Sequence, residues 1–299
     1  MKIGEAERWL REQLMKDYGE SESSVMAAMV VEYITGLSKE ERLFIKSEPL
    51  SDEQLQHLTQ ILQRLGNHEP VQYVLGESWF GGAKFFVDKS VLIPRPETEE
   101  LVEWVVADIA AKGLPVFEKG ATEADATTQL KILDVGTGSG CIALTLKKRL
   151  PVAEVWGCDV SEEALNVARR NGADLDIRVD FQGVNFLDEA QQKLLPTVDI
   201  IVSNPPYIPQ QDAAQMHPNV VAHEPHLALF VPDNDALIFY RALAQFGHKR
   251  LYEDGAIYLE IHEDLGEGVM RIFKECGYGA IELRKDMHGK DRMVKAMKA

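Results

Sequence analysis

Along the first 75 residues apolar positions recur at three- and four-residue spacings, as in Trp9, Leu10 and Leu14 and again in Val25, Met26, Met29, Val30 and Tyr33. That spacing puts each set on one helix face and predicts a small bundle of short helices. Two start signals punctuate it, Ser38 with Glu41 and Ser51 with Gln54. In each pair the hydroxyl accepts the N3 amide while the acid or amide side chain reaches back to the N-cap, so each begins a helix. Between Gly76 and Ile93 the period shortens to an alternation rich in aromatics, WFGGAKFFVDKSVLI, with Gly81-Gly82 as the turn of a β-hairpin.

After Pro94 and Pro96 a helix with an acidic first turn is expected from about Glu97 to Lys112, and then a loop to about Gln129. From Leu130 onward strand and helix alternate: KILDV, a helix through IALTLKKRL, EVWGCDV, a helix from Ser161, IRVDFQGV, VDIIVSN, a helix through DALIFYRALAQF, GAIYLEI, a helix through EGVMRIFKECG, then AIELRKD and RMVKAM. Such alternation predicts an α/β fold, a doubly wound and mostly parallel sheet of about seven strands with helices on both faces. The expected domains are a helical one over 1–75, a β-hairpin linker over 76–93 and the α/β domain over 94–299. The helical domain reads either as a stabilising cap or as a substrate-recognition module.

Composition narrows the function classes. The 299 residues are 45% hydrophobic and 27% charged, which fits an ordered globular chain. The net charge of −16 opposes non-specific contact with nucleic-acid backbones or anionic membranes. Three cysteines, Cys141, Cys158 and Cys276, are an odd count without metal-ligand spacing, so neither a disulfide framework nor a metal site is expected, and a cytoplasmic setting fits. No stretch approaches the length of a membrane span, and the first residues lack the apolar run of a signal peptide.

Three clusters carry candidate chemistry. Asp134-Val135-Gly136-Thr137-Gly138-Ser139-Gly140 stands where a strand gives way to a helix, the place where a doubly wound sheet binds nucleotide-like ligands. Its G-x-G-x-G spacing differs from the dinucleotide fingerprint, although close helix packing would also select glycines here. Asp159 ends the next strand, 19 residues beyond Gly140. A carboxylate there accepts both ribose hydroxyls of an adenosine-containing ligand, or merely precedes the helix at Ser161. Asn204-Pro205-Pro206-Tyr207 leaves the strand VDIIVS as a stiff, extended segment short of amide donors and rich in acceptors. Either an Asn oxygen and a neighbouring carbonyl accept both N–H bonds of a planar NH2 group while the Tyr207 ring lies against it, or the segment is simply a proline-rich loop with an Asn turn residue.

Taken together these residues resemble the class I S-adenosylmethionine-dependent methyltransferases that act on amino groups. Within that class, Val91-Leu92-Ile93-Pro94-Arg95-Pro96-Glu97-Thr98-Glu99-Glu100-Leu101-Val102 is similar to the signature segment of the release-factor glutamine methyltransferases, the HemK/PrmC family. The similarity runs on through PVQYVLGESWF, the EPHLAL stretch at Glu224 to Leu229, Leu259 to Ile261 and the closing RKDMHGKDRMV, and so spans essentially the whole chain. It implies methyl transfer from S-adenosyl-L-methionine, with S-adenosyl-L-homocysteine as product, to the glutamine amide of the Gly-Gly-Gln loop in peptide chain release factors. A monomer is expected, with release factors as partners and no direct nucleic-acid or membrane partner.

The resemblance implies cofactor contacts from Asp134, Gly136, Thr137, Gly138, Ser139, Gly140, Asp159, Asn204 and an adenine-flanking Phe186. It implies a catalytic role for Asn204, Pro205 and Tyr207, and substrate contacts from those three, Pro206, Arg95 and Glu97. Arg95, Glu97 and Thr98 also read as an ordinary helix start with acids at the favourable end of the dipole. The chain departs from the family pattern at Asn185, where many relatives carry an acid near the adenine, at His262 after LEI, and in the longer stretch from Glu118 to Gln129. The alternatives are glutamine methylation of a ribosomal protein, adenine-N6 or cytosine-N4 methylation of a flipped base in nucleic acid, and a silent cofactor-binding scaffold.

Overall fold

The computed structural model describes residues 1–113, 130–216 and 218–299. The expected loop between Lys112 and Gln129 therefore lies, from residue 114 on, outside the described residues. The chain divides into two compact units. One comprises Met1–Glu77 with the short helix Pro218–His223, and the other Ser78–Met216 with Glu224–Ala299.

The first unit holds helices α1 (Ile3–Leu14), α2 (Glu20–Thr35), α3 (Lys39–Phe44), α4 (Asp52–Gly66) and α5 (Val71–Leu75). Both expected capping boxes form: Ser38 Oγ accepts from the Glu41 amide, and Ser51 Oγ from that of Gln54. The buried stripe of α2 runs through Ser23, Met26, Ala27, Val30 and Val31, and that register turns two expected core residues outward. Val25 is 57% exposed and Tyr33 38%. The core joins Leu10 and Leu14 of α1 to Leu58, Ile61 and Leu65 of α4.

The second unit begins with the hairpin of β1 (Glu77–Phe80) and β2 (Ala83–Phe86). Gly81 and Gly82 both have positive φ, +56° and +69°, as a two-residue turn matched to strand twist requires. Phe80 and Phe85 pack edge to face, and both belong to the core that covers one face of the large sheet, so the hairpin is part of this unit's packing. In chain order there follow α6 (Pro96–Ala111), β3 (Lys131–Val135), α7 (Cys141–Arg149), β4 (Glu154–Asp159), α8 (Glu162–Asp174), β5 (Asp180–Gly183), α9 (Glu189–Gln192), β6 (Val198–Ser203) and β7 (Ile208–Pro209). After α10 (Pro218–His223) of the first unit come α11 (His226–Leu229), β8 (Phe230–Val231), α12 (Ile238–Arg250), β9 (Leu251–Glu260), α13 (Gly266–Glu275), β10 (Tyr278–Lys285) and β11 (Asp291–Lys298).

Seven strands form one sheet in the order β10-β11-β9-β6-β3-β4-β5. The five from β9 to β5 run parallel, and β11 and β10 add an antiparallel edge, the expected doubly wound α/β arrangement. Alternation sorts the strand residues between two cores. Ile132, Val155, Ile200 and Tyr258 face α6 and α7, while Leu133, Cys158, Ile201 and Leu259 face α12 and α13. Of the expected strand IRVDFQGV only β5 is built, at the sheet's edge and half exposed. The parallel pair β7 with β8 is too short for any periodicity to announce, and it ties the segment after Tyr207 to the segment after Leu229.

Candidate active site

The glycine loop and the Asn-Pro-Pro-Tyr turn leave neighbouring strands at the same level. β3 and β6 are parallel partners, with Asp134 opposite Val202 and Val135 opposite Ser203, and the Ser203 hydroxyl donates to the Val135 carbonyl at 2.7 Å. Whatever binds at the end of β3 therefore lies beside whatever the turn after β6 holds, at the carboxyl ends of parallel strands where such sheets place ligands.

Within the loop the three glycines serve different ends. Gly136 and Gly138 have φ of +72° and +53°, and a Cβ built on either meets nothing within 4 Å. Those two positions leave open space for a ligand to approach the backbone. Gly140 also has positive φ, but its Cβ would meet Ala168, Leu144 and Phe181 at 3.1 Å, which makes it the close-packing glycine of α7. Asp134 is wholly buried beneath the loop, where Thr137 Oγ1 donates to its Oδ2 at 2.6 Å and its Oδ1 has no hydrogen-bond partner. Burial raises its carboxyl pKa to about 7, against the opposing Thr137 bond. The buried Ser139 hydroxyl is likewise without a partner.

Asp159 closes the loop from the next strand. Its Oδ2 accepts from the Gly138 amide at 3.0 Å and its Oδ1 from the Ser161 amide at 3.0 Å. The carboxylate thus braces the glycine loop as well as the start of α8, whose N-cap is Ser161. Burial raises its pKa too, with the backbone amides opposing. Phe186, the expected adenine neighbour, is 5% exposed and packs edge-on against Phe246. Exposed apolar side chains follow the neighbouring strands at Val160 (52%) and Leu187 (40%). The signal for Val160 was available, an apolar residue directly after Asp159, the acid at the end of β4. Asn185 uses its side-chain oxygen locally, accepting from the Leu187 amide at 3.1 Å.

In the turn, Asn204 Nδ2 donates to Thr98 Oγ1 at 3.1 Å. Among the described residues no donor reaches Asn204 Oδ1 or the Pro205 carbonyl, which leaves two acceptors facing the same turn. Pro205 is buried and Pro206 and Tyr207 half-buried. The Tyr207 hydroxyl donates to Glu260 Oε1 at 3.3 Å, its ring stands edge-on to His262, and burial raises its pKa. Thr98 is brought in by α6 and Glu260 by β9; neither stood among the expected catalytic residues, although Thr98 had been grouped with Arg95 and Glu97.

Arg95 and Glu97 sit at the same helix start but are engaged internally. Arg95 pairs with the buried Glu224 at 2.6 Å, and Glu224 also accepts from the Ile93 amide at 3.3 Å. Glu97 lies 3.9 Å from His288 Nε2. The Arg95 pair joins the segment Val91 to Val102 to the EPHLAL stretch, so two sequence blocks far apart in the chain meet as one ion pair. Asn171 was missed altogether. Its buried amide accepts from Phe86 N at 2.7 Å and donates to Phe86 O at 3.0 Å and Ser139 O at 2.9 Å, linking α8, the hairpin and the glycine loop. Among the described residues no cluster of His, Cys, Asp or Glu could hold a metal ion, and no helix is long and apolar enough to cross a membrane.

Comparison with known proteins places these features in a family context. A methyltransferase small domain matches residues 121–226 and a PrmC N-terminal domain matches residues 5–76. The release factor glutamine methyltransferase of Flavobacterium psychrophilum is 38% identical over 278 residues, covering 93% of each chain. Those of Bacteroides thetaiotaomicron (38% identical, covering 96% of this chain and 97% of that one) and Streptococcus pneumoniae (36%, covering 98% of each) are similar over the same span. Among solved structures, the hMettl16 catalytic domain in complex with the MAT2A 3'UTR hairpin 6 has a TM-score of 0.53 at 15% identity, covering 83% of this chain and 82% of that one, a likeness of fold alone.

Proposed function

The chain belongs to the release factor glutamine methyltransferase family, and from that premise we propose that it transfers a methyl group from S-adenosyl-L-methionine to the glutamine side-chain amide in the Gly-Gly-Gln loop of peptide chain release factors. One observation supports the reading beyond family membership: the Asn-Pro-Pro-Tyr turn and an open glycine loop leave paired strands at one register. The residues suit the cofactor. Gly136 and Gly138 leave space against their backbone, the unpartnered Asp134 Oδ1 and Ser139 hydroxyl await polar groups, and Asp159 retains lone pairs for ribose hydroxyls. Thr137 holds the Asp134 carboxylate, and Gly140 seats the loop on α7. Val160 and Leu187, exposed after the neighbouring strands, are assigned with Phe186 as apolar neighbours of the adenine. When bound, the cofactor supplies a methyl group already activated on a sulfonium.

What the chain must supply is alignment of a poor nucleophile. An amide nitrogen shares its lone pair with its carbonyl, so geometry dominates the barrier. Asn204 Oδ1 and the Pro205 carbonyl accept the two N–H bonds of the substrate amide, fix its plane, and favour the positive charge that develops on nitrogen. Tyr207 and Pro206 wall the pocket against water. Arg95 shapes its rim through the pair with Glu224, and Glu97 lies at the same edge. The proton released from the methylated nitrogen leaves to solvent.

Substrate recognition falls to the N-terminal unit, and its charge distribution supports that assignment. A cavity of about 290 Å³ between α1, α2 and α3 is lined by Arg8, Arg11, Lys39, Arg42 and Lys46, with Glu7 as the acid among them. Arg42 is paired with Glu32 and Glu7, whereas the other four cations have no ion-pair partner among the described residues. The deciding experiment is methyl transfer from labelled S-adenosylmethionine to a purified release factor, alongside the same factor with its loop glutamine replaced, a ribosomal protein and duplex DNA. Label on the intact factor alone is expected. Label on the ribosomal protein or DNA instead would retain the methyltransferase and replace its substrate.

A further inference from the structure

The hydrogen bonds beside Asn204 form a chain with one direction, and the group that sets the direction is Glu260. It ends β9 after a run of buried apolar residues and is itself 2% exposed. Its Oε2 lies 2.6 Å from Thr98 Oγ1 and its Oε1 3.3 Å from the Tyr207 hydroxyl. An ionised carboxylate only accepts, so Thr98 spends its single proton on Glu260. What Thr98 then offers its other neighbour is a lone pair, and a lone pair calls for the NH2 end of the Asn204 amide, 3.1 Å away. We propose that Glu260, acting through Thr98, is the positioning residue that holds Asn204 with Oδ1 turned to the substrate.

This inference rests on the reading above, in which Asn204 grips the substrate amide. That amide nitrogen carries only donors. An Asn204 turned over would set NH2 against NH2 and lose the bond that aligns the nucleophile. A protonated Glu260 permits that reversal, because it donates to Thr98 Oγ1 and frees the Thr98 proton for Asn204 Oδ1.

The groups facing Glu260 are known from each packed element. Glu97 and Thr98 come from α6, Tyr207 from the turn after β6, and Tyr240 from α12, with its hydroxyl donating to the Glu260 backbone carbonyl at 3.2 Å. Arg292 comes from β11, where the buried Asp286 holds its Nε at 3.1 Å and the Ile261 carbonyl accepts from its guanidinium at 3.2 Å. His262 stands two residues along the chain. Burial raises the Glu260 carboxyl to about 6, with Thr98, Arg292 and Tyr207 opposing and Glu97 reinforcing the shift. The chain direction is therefore sensitive to pH just below neutrality.

The test is kinetic, with both substrates saturating so that cofactor binding does not enter. Thr98→Val keeps the shape and removes the relay; its kcat should fall about tenfold or more with cofactor Kd and circular dichroism unchanged, and Thr98→Ser should recover most of it. In the unaltered enzyme kcat should fall with unit slope below a pH of about 6. In Glu260→Gln, which has no proton to exchange, that limb should disappear. Thr98→Val with the original kcat, or an acid limb that persists in Glu260→Gln, overturns the proposal. Asn204→Ala separates the two levels. If it is inactive while Thr98→Val is unimpaired, only the positioning role fails; if it retains full kcat, the grip itself is wrong and the positioning role falls with it.

Discussion

The proposed reading gives Asp134 to the cofactor and Asn204 to the substrate, and that division is measurable. Asn204→Ala removes the acceptor proposed to align the nucleophile, so kcat should fall on the order of 100-fold or more while cofactor Kd stays within about twofold. Asp159→Ala removes the brace on Gly138 and the proposed ribose acceptor, so calorimetry should show weaker cofactor binding; an unchanged Kd would remove the ribose role. Asp134 adds a pH signature. Its folded pKa of about 7 is above the ordinary carboxylate value of 3.8, so the folded state holds an extra proton between those limits. The stability this confers is present below that window and is lost as pH rises through it. Without cofactor, thermal stability should therefore decline from pH 5 to about 7.5. A cationic ligand prefers the ionised form, so cofactor affinity should strengthen severalfold over about pH 6 to 8, and a flat binding profile would refute Asp134 as its partner.

At the level of elements, the pieces that hold the site are joined by single buried groups. Asn171→Ala would remove this partner from Phe86 N–H and two carbonyls; the full penalty of roughly 1–3 kcal/mol falls on the buried Ser139 carbonyl and only part of it on the part-buried Phe86 groups, a loss of about 2–4 kcal/mol. For a unit of this size that lowers the melting temperature by about 5–10 °C, readable by calorimetry. A change under one degree would show that the hairpin and glycine loop do not depend on this amide. Asn171 was hidden in the sequence because a polar residue in the pattern NVARRNGAD reads as a solvated helix face, and only the fold reveals that α8 turns it inward. The glycine loop, the end of β4 and the Asn-Pro-Pro-Tyr turn were legible for the opposite reason, since backbone chemistry at fixed strand ends dictates those residue types. Glu260 lay between these cases. A carboxylate in the apolar run GAIYLEI was a visible anomaly, but its partners come from α6, the turn after β6 and β11, and no local pattern joins them. Phe186 shows a further limit: an aromatic just after a strand can serve the core and a ligand alike, and its contact with Phe246 was not legible in the sequence.

For the molecule as a whole the relevant quantity is charge. A net of −16 makes the five cations around one N-terminal cavity an exception, because residues 1–75 contain eight in all against thirteen acids. Four of the five lack an ion-pair partner among the described residues, so their field is not cancelled locally. Complementary charge at an interface acts on encounter and register more than on chemistry. If the N-terminal unit receives an acidic surface of the release factor, Arg8→Glu with Lys39→Glu should raise KM for the intact factor about tenfold, an effect of roughly 1.4 kcal/mol, and leave kcat unchanged. The same double variant should methylate a short peptide carrying the Gly-Gly-Gln loop as well as the parent enzyme does, because such a peptide bears only the reacting group. The difference in KM should also shrink at high salt, as exposed charges are screened. Equal losses on peptide and intact factor would place the defect in the methyltransferase unit, and no loss on either would leave the N-terminal helices as a stabilising cap without a part in recognition.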